Sequence, residues 1–286
     1  MTATHIKPTA HFVKCKGREI HYLEWGQPAS PAVVLWHGLA RTCRDFDDLA
    51  ASLADSFRVI VPDTIGRGMS EWSTRPDEEY CFEFYAEIVE DLVEKLSLPE
   101  FSWLGTSMGG GLGIRVAGGR LAPRIRHLVL NDMSPEPSRD SLMRIRNYIG
   151  SPPVFDTVSE FETYCRGVYT PFGWHSDAQW RHMATTSMRR REDGRVTTHY
   201  DPRIVQQLFN HLDDDFCQWE AFSRIKASIL LLRGESSDLV LPDQVPRMRA
   251  LQPAMQVIEV PGCGHAPALN VDAQIGMVRK FFGAVN

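Results

Sequence analysis

The 286-residue sequence lacks the signatures of a structural metal, a disulfide framework and a membrane span. Its six cysteines (Cys15, Cys43, Cys81, Cys165, Cys217 and Cys263) are scattered, and none forms a Cys-x-x-Cys pair. Neither a zinc site nor a stapled secreted scaffold is therefore expected. The densest apolar runs, residues 32–36 and 229–232, fall far short of the ~20 residues that cross a bilayer. Residues 1–20 alternate polar and apolar side chains and have no unbroken apolar segment of the kind a secretory signal needs. The expected location is cytoplasmic.

A basic excess is missing too. The net charge is −5, and the one dense cationic run, Arg189-Arg190-Arg191, is followed at once by Glu192 and Asp193. That run reads as a solvated face, and nucleic-acid binding is excluded. No Gly-x-Gly-x-x-Gly or Gly-x-x-x-x-Gly-Lys-Ser/Thr loop occurs, and there is no His-Glu-x-x-His. Neither a cofactor nor a metal is expected.

With 43% hydrophobic and 23% charged residues, the chain has the composition of a globular protein. At this length a single core can stand without staples. Short β-rich runs alternate with helix-period segments through the first 133 residues, as in a parallel sheet with helical crossovers. An opening hairpin is predicted at 12–16 and 19–25, with strands at 32–36, 58–61, 101–104 and 127–130. Phe82, Tyr85, Val89, Leu92, Val93 and Leu96 recur at helical spacing and place a long amphipathic helix before the strand at 101. From Pro135 to about Phe222 no strand is evident. Strands resume at 228–232 and 256–260, before a closing helix over 272–282. An α/β core is thus interrupted by an insertion of roughly 85 to 90 residues, far longer than an ordinary loop.

The sharpest local feature is Gly105-Thr106-Ser107-Met108-Gly109, set between a predicted strand and a predicted helix. This is the context of a nucleophile elbow, where the serine occupies a strained turn and its flanking glycines leave room for strand and helix to approach. Further motifs join it: His37-Gly38 after an earlier strand, Asp63-x-x-Gly66-x-Gly68-x-Ser70 after the next, and Gly262-x-Gly264-His265 near the C-terminus. Together they resemble the α/β-hydrolase fold superfamily over about 1–133 and 224–286. Within it the chain is most similar to capped bacterial esterases, enol-lactonases and carbon–carbon bond hydrolases. The resemblance implies a mostly parallel eight-stranded sheet flanked by helices, with a helical cap inserted after strand 6. The implied division is core 1–134, cap 135–223 and core 224–286.

A serine hydroxyl is a poor nucleophile at neutral pH and needs an adjacent base, for which histidine is suited. His265 is favoured because it lies in a Gly-rich loop directly after a predicted strand. His37 is read as shaping a loop, and His199 and His211, in the insertion, as surface positions, with a place in a pocket lining as the alternative. The third member is a carboxylate that orients the imidazole. The superfamily order Ser…Asp…His points to Asp238 in Gly234-Glu235-Ser236-Ser237-Asp238. Relatives usually show Gly-x-x-Asp there, and one extra residue intervenes here. Glu235 therefore stays open as an alternative, and so does Asp132, because some members place the acid after the sixth strand. By resemblance, the oxyanion donors are the backbone N–H groups of Leu39 and Met108. Arg41 is a candidate for contacting a substrate carboxylate, against an ordinary surface ion pair.

Residues 135–222 hold 13 of the 28 aromatic residues, together with ten arginines, thirteen carboxylates and no lysine. Tyr148, Tyr164 and Trp174 are candidates for a largely apolar substrate pocket, although packing within a small subdomain would also account for such residues. Ion pairs within the segment account for the arginines, with recognition of an acidic substrate as the alternative. The leading expectation is a serine hydrolase that cleaves a small carboxylic ester or lactone through an acyl-enzyme on Ser107, working as a monomer or homodimer. The same apparatus would serve a carbon–carbon bond or enol-lactone hydrolase. A non-catalytic ligand receptor on this scaffold would be expected to show a damaged triad or oxyanion loop, and neither is apparent.

Overall fold

The computed structural model describes residues 7–283. Of the alternating segment 1–20, residues 1–6 lie outside the described chain. The opening hairpin pairs β1 (Thr9–Cys15) with β2 (Arg18–Trp25). Then follow β3 (Ala32–Trp36), β4 (Arg58–Pro62), β5 (Phe101–Thr106) and β6 (Ile125–Asn131). Three short strands come next: β7 (Val154–Phe155), β8 (Met188–Arg190) and β9 (Val196–Thr198). The chain then returns with β10 (Ser228–Gly234) and β11 (Gln256–Val260).

The main sheet has the order β1-β2-β4-β3-β5-β6-β10-β11, and only β2 runs against its neighbours. From β3 the chain steps outward to β4 on one side and then crosses to β5 on the other. That reversal is a topological switch point, where the loops leaving neighbouring strand ends diverge and open a crevice. The loops that leave β3 and β5 begin with His37 and Ser107.

Both faces of the sheet are covered, which is why its central strands read as continuous apolar runs rather than alternating ones. In β3, Ala32, Val34 and Trp36 join one core cluster and Val33 and Leu35 the other. The first cluster contains the buried hydrophobic side chains of helices Phe82–Lys95 and Met108–Ala117, and the second those of Asp47–Leu53 and Asp272–Phe282. Trp36 and Trp103 stack across neighbouring strands with ring centroids 5.2 Å apart. Five of the six residues that mark the helical period at 82–96 are buried, and Leu96 packs against the same cluster.

The segment between β6 and β10 differs from the sequence expectation. It is mostly helical, but β7, β9 and β8 form a separate three-stranded antiparallel sheet. Two- and three-residue strands are too short for a two-residue alternation to register. Phe161, Cys165, Ala184 and Val196 make a small core of their own, with Phe155, Tyr164, Tyr169 and Met188 packed against it. Many of the arginines are paired locally, Arg166 with Glu162 and Asp177, Arg203 with Asp201, and Arg195 with Asp193. All six cysteines are free thiols. Among the described residues no helix is long and apolar enough to cross a membrane.

Candidate active site

Ser107 stands between β5 and helix Met108–Ala117 with φ 52° and ψ −119°, a left-handed conformation that a serine adopts only under tertiary constraint. The flanking glycines allow the turn to close. A Cβ on Gly105 would lie 2.0 Å from the Gly109 carbonyl oxygen, and one on Gly109 would lie 2.1 Å from that of Trp36. The elbow is anchored by the Ser107 N–H, which donates to Asn131 O at 3.0 Å.

Ser107 Oγ lies 2.8 Å from His265 Nε2, and His265 Nδ1 lies 2.6 Å from Asp132 Oδ2. A carboxylate can only accept, so Nδ1 carries the proton and Nε2 is left to accept from the serine hydroxyl. Asp132 directly follows β6, at φ 55°, and is fully buried. Its Oδ1 accepts from the Gly234 N–H at 2.9 Å, and its Oδ2 also accepts from Ser237 Oγ at 2.7 Å.

The preferred sequence assignment of the acid is therefore corrected. Asp238 is half-exposed, and its carboxylate pairs with Arg144 at 2.5 Å. Glu235 accepts from the Gly262 N–H at 2.9 Å. The extra residue noted after Gly234 explains the displacement. The fourth position of the Gly-x-x-Asp pattern is Ser237, whose hydroxyl meets the carboxylate supplied from the end of β6.

The loop after β3 lies against the nucleophile. A Cβ on Gly38 would be 3.6 Å from Ser107 Cβ. His37, fully buried, holds this loop: its Nε2 accepts from the Thr64 N–H at 2.9 Å, and its Nδ1–H donates to Gly38 O at 2.7 Å. Gly38 O belongs to the same peptide unit as the Leu39 N–H, so this bond polarises that N–H. Burial lowers the His37 pKa and keeps the ring in the neutral form these bonds require. Met108 heads its helix, where the first N–H groups have no intrahelical acceptor and the helix dipole is positive.

The remaining sequence candidates divide. Arg41 is buried and commits its fork to Asp45 at 2.9 and 2.6 Å, while its guanidinium lies 4.4 Å from the Tyr169 ring centroid. Burial would lower its pKa, but the Asp45 carboxylate more than offsets this, so the cation is secure; the pair forms as an alternative to substrate contact, but it is buried rather than at the surface. Trp174 is 68% exposed. Tyr148 is half-exposed. Tyr164 packs on Phe155 at 5.2 Å, and burial pushes its phenol up to about 12. A crevice opens between core and insertion beside Thr106 and Ala266, walled by Phe46, Phe172, His175 and Met183.

Among the described residues one group could hold a metal, His21, Cys43 and Asp63. Its carboxylate already accepts from His21 Nδ1 at 2.8 Å and from the N–H groups of Cys43 and Met69. Burial opposes ionisation of Asp63, but these bonds hold its carboxyl below the ordinary range. Burial also raises the Cys43 thiol well above its usual value, which disfavours the thiolate a metal would need. The cluster ties β2 to the Asp63-x-x-Gly66 turn.

Sequence reasoning missed Arg67. This fully buried residue touches both Leu39 and Met108. Arginine in a loop motif ordinarily reads as a solvated charge, and Asp63 and Glu71, four residues to either side, look like its ion-pair partners in sequence.

The alpha/beta hydrolase fold family matches residues 31–270. The chain belongs to that family. It is 34% identical over 96% of its length to a 3-hydroxybutyrate-oligomer hydrolase of Cupriavidus necator, covering 98% of that protein. An alpha/beta hydrolase of Novosphingobium aromaticivorans superposes with a TM-score of 0.85 at 29% identity, over 98% of this chain and 99% of the other. A Rickettsia typhi protein described as a putative hydrolase shares the fold, with a TM-score of 0.89 at 24% identity over 98% and 100% of the two chains.

Proposed function

We propose that this hydrolase cleaves a small carboxylic ester through an acyl-enzyme on Ser107, with His265 as base and Asp132 as the acid that orients it. The observation carrying the proposal is the unbroken hydrogen-bond chain from Ser107 Oγ through His265 to buried Asp132. As Ser107 Oγ attacks the ester carbonyl, its proton passes to His265 Nε2, and the fixed Asp132 carboxylate stabilises the resulting imidazolium. The tetrahedral oxyanion forms between the N–H groups of Leu39 and Met108. Collapse returns the proton from Nε2 to the leaving alkoxide, which departs as the alcohol. Water, deprotonated by the same nitrogen, then releases the acid and regenerates Ser107.

Residues 135–223 act as a cap over this centre, and Phe172, His175 and Met183 from it wall the crevice. The relative from Cupriavidus necator makes linear oligomers of a short hydroxy acid the first substrates to assay. The test combines 3-hydroxybutyrate dimers and trimers, a series of aryl esters of increasing acyl length, and a fluorophosphonate label. Wild type should hydrolyse at least one member, and Ser107→Ala should fall to background. Retention of half the rate by that variant would end the nucleophile assignment. Labelling of Ser107 with no ester turned over would shift the reading to carbon–carbon bond or enol-lactone hydrolysis.

A further inference from the structure

Arg67 occupies the middle of Gly66-x-Gly68 and is fully buried, yet no carboxylate among the described residues lies within ion-pair distance of it. Its N–H groups go to neutral acceptors. Nε donates to Leu39 O at 2.8 Å, and Nη1 donates to Ile65 O and to the Tyr85 hydroxyl, each at 2.8 Å. Nη2 lies 3.5 Å from Met108 Sδ. The guanidinium also lies over the rings of Tyr85 and Tyr80, 5.3 and 5.5 Å from their centroids. A buried cation is normally paired with an anion, because desolvation is otherwise uncompensated. Here the cation bridges the two residues assigned above as oxyanion donors.

We propose that Arg67 is a positioning residue of the oxyanion hole. It fixes Leu39 and Met108 relative to each other and holds an unneutralised positive charge behind the point where the tetrahedral anion develops. The inference rests on Ser107 being the nucleophile. The charge contributes little to binding a neutral ester and much to the anionic transition state, so its removal reads out in kcat rather than KM. The same arginine is tied to the insertion. Tyr80, beneath it, donates to Asp201 at 2.7 Å, and the Asp201 N–H donates to Gly66 O at 2.8 Å.

The test measures the rate of phosphonylation by a fluorophosphonate, which requires no knowledge of the substrate. Ser107 Oγ forms the new P–O bond, fluoride leaves, and the hydroxyl proton passes to His265. Arg67→Met, which keeps the bulk and removes the charge, should slow labelling by about 10-fold or more. Arg67→Lys, which restores the charge without the fork, should label faster than Arg67→Met and slower than wild type; a rate no faster than that of Arg67→Met would overturn the electrostatic part of the proposal. With any ester that wild type turns over, kcat of Arg67→Met should fall while KM stays within about twofold. A folded Arg67→Met protein that labels within about twofold of wild type would overturn the proposal, as would a loss confined to KM. If Arg67→Met does not fold, Tyr85→Phe removes one of its anchors and should still slow labelling severalfold; an unchanged rate would overturn the proposal. Absence of labelling in wild type would instead refute the nucleophile assignment, and this inference with it.

Discussion

Replacing Asp132 by asparagine separates the two candidate acids with little change of shape. In the fold, Asp132 Oδ1 accepts from the Gly234 N–H, and Oδ2 accepts from both Ser237 Oγ and His265 Nδ1. An asparagine that keeps the Gly234 bond must turn its NH2 group toward His265. That group donates, so His265 Nδ1 becomes the acceptor and the ring proton moves to Nε2. The nitrogen facing Ser107 then cannot accept the hydroxyl proton. The expected loss in kcat is about 10⁴-fold, or roughly 5.4 kcal/mol of transition-state stabilisation. Asp238→Asn breaks only a half-exposed pair with Arg144 and should change kcat by less than about twofold. Both variants should be assayed with an aryl ester and by fluorophosphonate labelling, with thermal unfolding to show that each is folded. An Asp132→Asn enzyme retaining a tenth of the wild-type rate, beside an Asp238→Asn enzyme that loses activity, would refute the assignment.

Gly109→Ala places a methyl group 2.1 Å from the Trp36 carbonyl oxygen. It should cost more than about 3 kcal/mol in urea unfolding or prevent folding; a loss below about 1 kcal/mol would show that the elbow can spread. Burial raises the Asp215 carboxyl from 3.8 to about 6, against the opposing bonds from Gln207 and the Phe82 N–H. Because the folded value lies above the unfolded one, Asp215 stabilises the fold fully below about pH 4, and this is lost as the pH rises through about 6. Relative to wild type, Asp215→Asn should therefore gain about 2 kcal/mol in urea-unfolding free energy between pH 4.5 and 7. A pH-independent difference would contradict the shift.

The parts of the molecule that the sequence reveals are those where local chemistry and packing coincide. β3 is apolar at every position because both of its faces are covered, and the elbow glycines are required because backbone passes within contact distance of each. The insertion was less legible. Its strands span two or three residues, and its aromatic residues serve a small core as readily as a pocket, so that Phe161 and exposed Trp174 look alike in sequence.

Sequence order favours Asp238 over Asp132, the carboxylate bonded to His265, for a different reason. The fold can deliver a carboxylate to the same imidazole nitrogen from either of two adjacent strand ends, β6 or β10, because those strands pair in register, with Asn131 opposite Leu232. Asp132 leaves the first end and Gly234 closes the second, so a side chain a few residues beyond either can reach His265. Chain order therefore says little, and the residue at the vacated position says more. A carboxylate at the third place after Gly234 would face Asp132 and repel it, whereas Ser237 there donates a hydrogen bond to it and also accepts from the N–H groups of Leu239 and Val240. A hydroxyl at one strand end is thus the complement of a buried acid at the other. Gly-x-x-Ser after one strand and an aspartate at the end of the neighbouring strand together mark this arrangement in sequence.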